Sequence, residues 1–212
     1  VENKLSFSEI EAKLRNYSGQ FGNQAHVEFS PMSKQDREAL KLDAVSPKQA
    51  AVLILLYPKD KVVNFVLTQR FSYKGAHSNQ ISLPGGEKEV QDLNLKGTAL
   101  RETYEEIGVK VSHDNVFDLS EIYIPPSNFL VMPFVKLLTE EVDFEKDDFE
   151  VKEILEFTLE TLIKSKVELL NGNEVGKVDN YFSKIPAFKF EGKIVWGATA
   201  MMLNELRYIL LQ

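Results

Sequence analysis

Between Leu83 and Gly108 the chain sets a Pro-Gly-Gly turn ahead of its clearest helix, and no other stretch constrains the molecule as tightly. Asn94 is suited to cap that helix and Gly108 to end it, with Ala99, Leu100, Thr103, Tyr104 and Ile107 recurring at helical spacing. At about 100° per residue, Glu102 and Glu106 fall one turn apart on one face. Glu105 lies beside them, and the apolar set covers the opposite arc. Three carboxylates so close repel, and no lysine is interleaved to relieve them. A divalent cation is one remedy, since magnesium and manganese take oxygen ligands and magnesium keeps waters that can be activated. The Gly85-Gly86 pair lets backbone come close to a metal or a phosphate. A glutamate stripe alone also describes a solvated helix face, and Pro-Gly-Gly alone a plain turn. The two together, with Arg101 next to Glu102, favour a site.

The flanking elements point to an α+β chain. Ala50 to Tyr57 and Val62 to Thr68 are apolar, β-branched-rich strands around the turn Pro58-Lys59-Asp60-Lys61. Residues 71–92 are expected to be mostly loop, with a short strand near Gln80 to Leu83. Val116 to Ile124 and Leu130 to Leu138 are expected as strands around Pro125-Pro126-Ser127-Asn128. The acidic stretch Glu140 to Glu153 reads as a loop, Thr158 to Ile163 as a short helix, and Tyr181 to Val195 as two strands around Glu191-Gly192. Gly197 to Leu211 is a closing amphipathic helix. The N-terminal fifth is polar and helical: Ser6 and Glu9 form a capping box, Ile10 and Leu14 an apolar i, i+4 pair, and Ser33 to Leu42 a second helix. With neither repeat nor linker, residues 1–212 are expected to form one domain with a helical extension over about 1–45.

Composition removes whole classes of function. The absence of cysteine excludes a disulfide framework, a thiol nucleophile and a thiolate zinc site. A net charge of −7 disfavours nucleic acid, which binds basic surfaces. The longest apolar run, Ala50 to Tyr57, is strand-sized, well short of the ~18 residues of a membrane span. The first residues, Val-Glu-Asn-Lys, lack a secretory pattern, so a soluble, cytoplasmic protein is expected.

The segment from Gly86 to Val109 resembles the box of the Nudix hydrolases, whose pattern is Gly, five residues, Glu, seven residues, then Arg-Glu-apolar-x-Glu-Glu-x-Gly-apolar. Arg101-Glu102-Thr103-Tyr104-Glu105-Glu106-Ile107-Gly108-Val109 fits the second half, with Thr103 in the apolar slot. In the first half Asp92 stands for the Glu, and eight residues rather than seven separate it from Arg101. That expansion resembles the coenzyme A pyrophosphatase branch. Its upstream signature is similar to Val66-Leu67-Thr68-Gln69-Arg70 followed by His77-Ser78-Asn79-Gln80-Ile81-Ser82-Leu83-Pro84-Gly85-Gly86. Phe71, Lys74-Gly75 and Asn79 depart from it, and a weaker echo covers Val195 to Ala200.

The resemblance implies an αβα sandwich around a mixed β-sheet, and a metal-dependent hydrolase of nucleoside diphosphate-linked small molecules. Coenzyme A would yield 3′,5′-ADP and 4′-phosphopantetheine. An ADP-ribose or dinucleoside polyphosphate pyrophosphatase is the alternative enzyme, which Pro125 recommends, and a non-catalytic nucleotide-binding module the alternative of another class. The implied cofactor is Mg2+ or Mn2+, and a homodimer is the assembly left open. Carried over by position, Glu102 and Glu106 are the main metal ligands, Glu105 a ligand or the group orienting water, and the Gly85 or Gly86 carbonyl a further ligand. Arg101 holds a carboxylate by a forked hydrogen bond, and Asp92 is structural rather than a ligand. Arg70 and Lys74 are candidates for phosphate contacts, with His77, Gln80 and Gly85 completing the substrate loop. Tyr73 and Phe129 are candidates for stacking on adenine, Trp196 is assigned to the core, and His26 and His113 to the surface. The acidic run Glu140, Glu141, Asp143, Glu145, Asp147, Asp148 and Glu150 is read as a solvated loop or as the source of one more ligand or the base.

Overall fold

Strand β1 (Lys48–Lys59) organises the molecule because it is apolar on both faces. Its side chains alternate: Ile54 and Leu56 enter one core, Leu53, Leu55 and Tyr57 the other, and none is more than 1% exposed. Such a strand needs a layer above and a layer below. The computed structural model describes residues 5–33, 35–36, 39–40, 46–71, 80–175 and 184–212, and it supplies both layers.

The sheet is mixed. β2 (Val62–Arg70) runs antiparallel to β1, and β7 (Phe129–Leu137) runs parallel to it from Lys48–Phe129 to Leu56–Leu137. β8 (Val151–Thr158) lies antiparallel along the other side of β2, and β5 (Val116–Asp118) and β6 (Ile122–Ile124) along β7. Helix α3 (Leu95–Ile107) covers one face with Ala99, Leu100 and Ile107. The other face carries α5 (Gly197–Leu211) and a three-stranded antiparallel sheet of β9 (Glu168–Leu170), β10 (Ile185–Phe190) and β11 (Lys193–Trp196). α1 (Phe7–Arg15) and α2 (Gly22–Glu28) pack on α5, and α4 (Leu159–Lys164) follows β8 behind its cap Thr158. This is the α+β sandwich the sequence implies. No helix among the described residues is long and apolar enough to cross a membrane.

The register of β1 and β2 leaves an opening between them. The two strands pair only from Lys59–Val62 to Leu56–Phe65. Beyond that they part, and residues 81–87 wedge between them: β3 (Ile81–Ser82) pairs with β2, and β4 (Gly85–Glu87) with β1. Buried Leu83 and the Pro84 carbonyl, which accepts from the Leu53 N–H at 2.9 Å, hold the wedge. A Cβ on Gly85 would lie 2.4 Å from the Ala51 carbonyl oxygen, so the strand can pair so closely only with glycine there.

Several elements differ from the sequence reading. The hairpin turn is two residues, Asp60-Lys61, both at positive φ, and β1 runs on through Pro58. Pro58 is tolerated because it lies past the last β7 partner, where its missing N–H leaves no gap in the ladder. The 71–92 stretch is less loop-like than expected, since β4 is a sheet strand. The 116–124 stretch is two strands: Leu119 N–H turns to the Pro133 carbonyl, Ser120 N–H turns to Glu205, and pairing with β7 resumes one residue out of step. α2, β8 and β9 were not foreseen, and β8 begins inside the stretch read as an acidic loop. The Ser6–Glu9 capping box, buried Ile10 and Leu14, and α5 lie where expected. The 33–42 helix falls partly outside the described residues.

His26 is not a surface residue. It is 3% exposed and bonds through Nε2 to Glu205 of α5 at 2.7 Å. Glu205, fully buried, also accepts from the Tyr17 hydroxyl at 2.5 Å and the Ser120 N–H at 2.8 Å. Those donors outweigh its desolvation and hold its pKa below the ordinary range. The N-terminal helices are thus pinned to α5 by a satisfied polar cluster, which spacing alone does not reveal.

Candidate active site

Helix α3 begins where the Asn94 side chain accepts the Gly97 N–H at 2.8 Å and ends at Gly108, φ +76°. Thr103 serves in an apolar slot because its hydroxyl donates to the Ala99 carbonyl at 2.7 Å within the helix. The opposite side carries the acids, and their environments differ sharply.

Glu106 is 3% exposed, and burial pushes its pKa up to about 8. Arg70 and the Thr68 hydroxyl, 3.3 Å away, pull the other way, while Glu102 and Glu150 reinforce the rise. Glu102, also mostly buried, is raised by desolvation against the pull of Arg101. Its carboxylate lies against the α-carbon of Gly86: a Cβ there would sit 2.5 Å from the carboxyl carbon. Gly86 is therefore a cradle for an acid. Glu105 is half exposed.

Arg101 ties this end of the helix together. Its Nε and Nη2 fork onto Asp92 at 3.0 Å each, Nη2 also reaches the Glu87 carbonyl at 3.2 Å, and Nη1 donates to Glu102 at 2.8 Å and Glu105 at 2.7 Å. Asp92 takes two further bonds, from the Thr98 hydroxyl and the Glu89 N–H, and is held down to about 2, chiefly by Arg101. The arginine thus relieves part of the repulsion assigned to a missing cation. Among the described residues no group of three or more histidine, aspartate or glutamate side chains is assembled to hold a metal. The buried acids are Glu102 and Glu106, and Glu105 is drawn to Arg101 instead.

The acidic run is docked rather than free. Glu145 N–H donates to the Ile107 carbonyl at 3.1 Å and Asp147 N–H to the Glu106 carbonyl at 3.0 Å, satisfying the end of α3. Gly108 is needed twice, for its positive φ and because a Cβ would lie 2.8 Å from the Glu145 Cβ and 2.9–3.1 Å from its backbone oxygen and nitrogen. The Asp147 side chain accepts the Phe149 and Glu150 N–H groups, and the turn leaves Glu150 acting electrostatically on Glu102 and Glu106. Glu140, Glu141 and Asp143 remain exposed.

Of the substrate candidates, Arg70 ends β2 within electrostatic reach of Glu106, and its N–H donates to the Gln80 carbonyl at 3.1 Å. Lys74, His77 and Tyr73 lie outside the described residues. Phe129 is half-buried with the Lys48 ammonium 5.5 Å from its ring centre, Trp196 is half-buried at the start of α5 rather than core, and His113 is exposed as expected. Pro125 opens a single 3-10 turn, with Asn128 left-handed behind it. Thr68 and Glu150 were not singled out by role. Thr68 was legible, because Val66, Thr68 and Arg70 share one face of an alternating strand. Glu150 was not, because its place depends on the Asp147 turn.

Residues 47–175 match the family model described as NUDIX domain. The chain is 31% identical over 181 residues to Nudix hydrolase 15, mitochondrial, of Arabidopsis thaliana, covering 82% of this chain but only 61% of that protein's length. It is 30% identical over 158 residues to the uncharacterized Nudix hydrolase NudL of Yersinia enterocolitica, covering 74% of this chain and 78% of the relative. A MutT/nudix family protein from Enterococcus faecalis shares the fold, with a TM-score of 0.55 at 15% identity over 93% of this chain and 76% of that one. The wedge between β1 and β2, the acid-bearing helix behind it and these likenesses agree: the chain belongs to the Nudix family.

Proposed function

We propose that this chain is a metal-dependent pyrophosphohydrolase of nucleoside diphosphate-linked substrates, and that coenzyme A and its derivatives are the class it cleaves, to 3′,5′-ADP and 4′-phosphopantetheine. The observation that carries the reading is the Glu102–Glu106 pair, buried opposite Gly86, with Arg70 at its side. Two desolvated carboxylates, with the charge of Glu102 adding to the burial that raises Glu106, make an all-oxygen donor set suited to a hard cation. Glu102 and Glu106 would hold it, with Glu105 available once released from Arg101. When bound, magnesium or manganese supplies Lewis acidity at phosphorus and activates water.

The remaining work belongs to the chain's own groups. Gly86 admits the Glu102 carboxylate, and Arg101, anchored on Asp92, fixes the helix turn that carries it. Glu150 is the candidate to take a proton from the attacking water, since it faces both acids from outside the helix. Arg70 is the described cation placed to meet a substrate phosphate. The coenzyme A preference rests on the Leu67-Thr68-Gln69-Arg70 and Gln80-to-Gly86 segments, which close the wedge around Arg70. A product-resolved screen of coenzyme A, ADP-ribose, NADH and diadenosine polyphosphates with each metal tests the reading. Coenzyme A cleaved fastest, to the two products named, is expected. ADP-ribose cleaved faster would replace the substrate and leave the hydrolase standing.

A further inference from the structure

Glu150 is exposed and makes no hydrogen bond or ion pair among the described residues, yet its charge is felt at both Glu102 and Glu106. A carboxylate on a surface turn samples many positions unless its backbone is fixed. Asp147 fixes it. Its N–H donates to the carbonyl of Glu106 itself at 3.0 Å, and its Oδ1 accepts the N–H groups of Phe149 at 2.7 Å and Glu150 at 2.8 Å. One residue therefore joins the buried acid of α3 to the backbone of Glu150. With both N–H groups taken by Asp147, the Glu150 carboxylate is not drawn back onto its own turn.

The far side of the turn is held as well. The Val151 N–H donates to the Asp147 carbonyl at 3.0 Å, and Val151 is 1% exposed. The register of β8 on β2 passes from Glu153–Gln69 to Val151–Arg70 and skips Lys152, so Val151 lies opposite Arg70. Such a bulge re-aims the residues beside it. The turn itself adds little to packing, because Asp148, Phe149 and Glu150 are all exposed. Its hydrogen bonds hold a direction, not a core.

We propose that Asp147 is a positioning residue of the hydrolytic site, holding Glu150 against Glu106 so that Glu150 takes the proton of the attacking water. The proton passes to the Glu150 carboxylate while the water oxygen bonds phosphorus and the bridging oxygen leaves with the departing phosphate. This role rests on the hydrolase reading with Glu150 as the base, and not on the choice of substrate. A double-substitution cycle tests it at saturating metal, on the diphosphate that wild type cleaves fastest, with thermal melts of every variant. Asp147→Ala loses only the side-chain bonds and keeps the N–H on Glu106, so its Tm should stay within a few degrees. Its kcat should fall about tenfold to a hundredfold, the scale of a misplaced group, with KM nearly unchanged. Asp147→Asn keeps an Oδ1 acceptor and should recover most of that loss. Glu150→Gln should fall about a hundredfold or more, and adding Asp147→Ala to it should cost no more than about twofold. A wild-type rate in Asp147→Ala, an equal further loss in the Glu150→Gln background, or Asp147→Asn as slow as Asp147→Ala overturns the proposal. Glu150→Gln at the wild-type rate overturns it together with the choice of base. A wild type that cleaves no diphosphate removes the hydrolase reading and this role with it.

Discussion

Glu106 and Asp92 show how one helix and the loop before it can hold two carboxylates in opposite states. Burial raises Glu106 to about 8, so the folded protein binds its proton more tightly than the unfolded chain does. The metal-free protein accordingly loses stability as pH rises from about 4.5 toward 8, and below that range the penalty is absent. Glu106→Gln removes it. Its metal-free Tm should exceed wild type at pH 8 by the equivalent of about 1–3 kcal/mol, the gap closing near pH 4.5, as calorimetry across pH would show. Asp92 has the opposite sign. Held at about 2 by Arg101, it stabilises the fold above its unfolded pKa of 3.8, and that contribution is lost as pH falls toward 2. Asp92→Asn should lower stability at pH 7 by about 1–2 kcal/mol, with little difference left at pH 2, and slow turnover about tenfold by loosening Arg101. A turnover loss as deep as that of a ligand substitution would place Asp92 on the metal.

At the scale of elements, two glycines separate chemistry from folding. Gly86 faces the movable end of Glu102, whereas Gly108 faces the backbone of the docked acidic loop. Gly86→Ala should displace the carboxylate, leaving Tm within a few degrees of wild type while turnover falls about a hundredfold or more. Gly108→Ala must strain a φ of +76° and push the Glu145 backbone, so it should destabilise by about 1–3 kcal/mol and weaken catalysis through the displaced Glu150. Paired thermal melts and rates on the two variants check the contrast. Equal losses of Tm would show that Gly86 serves the fold alone.

Across the whole molecule, what the sequence disclosed was local or periodic, and what it hid was long-range. Helix α3 was legible because cap, stripe and stop lie within one run of chain, and β1, β2 and β7 because their apolar content is dense, whereas β4 and β8, mixed with glycine and charge, were not. Arg101 was recognised as a clamp from its chemistry, but its choice of Asp92 required the loop to fold back nine residues. The docking of Glu145 and Asp147 on the end of α3, and the burial of His26 by Glu205 from the other end of the chain, leave no mark in local pattern. That last pin has its own expected outcome. Glu205→Leu removes the acceptor of the half-buried Tyr17 hydroxyl, the buried His26 ring and the Ser120 N–H, and should cost about 3–5 kcal/mol in denaturant unfolding.

The central claim is that the acids of α3 drive hydrolysis of a coenzyme A diphosphate. The measurement that bears on it most directly is product-resolved turnover of coenzyme A at saturating magnesium by wild type and by Glu106→Gln, with circular dichroism confirming both folds. Wild type should release 3′,5′-ADP and 4′-phosphopantetheine, and the variant should be slower by roughly a thousandfold or more, about 4 kcal/mol of lost transition-state stabilisation. Near wild-type turnover in Glu106→Gln would contradict the account.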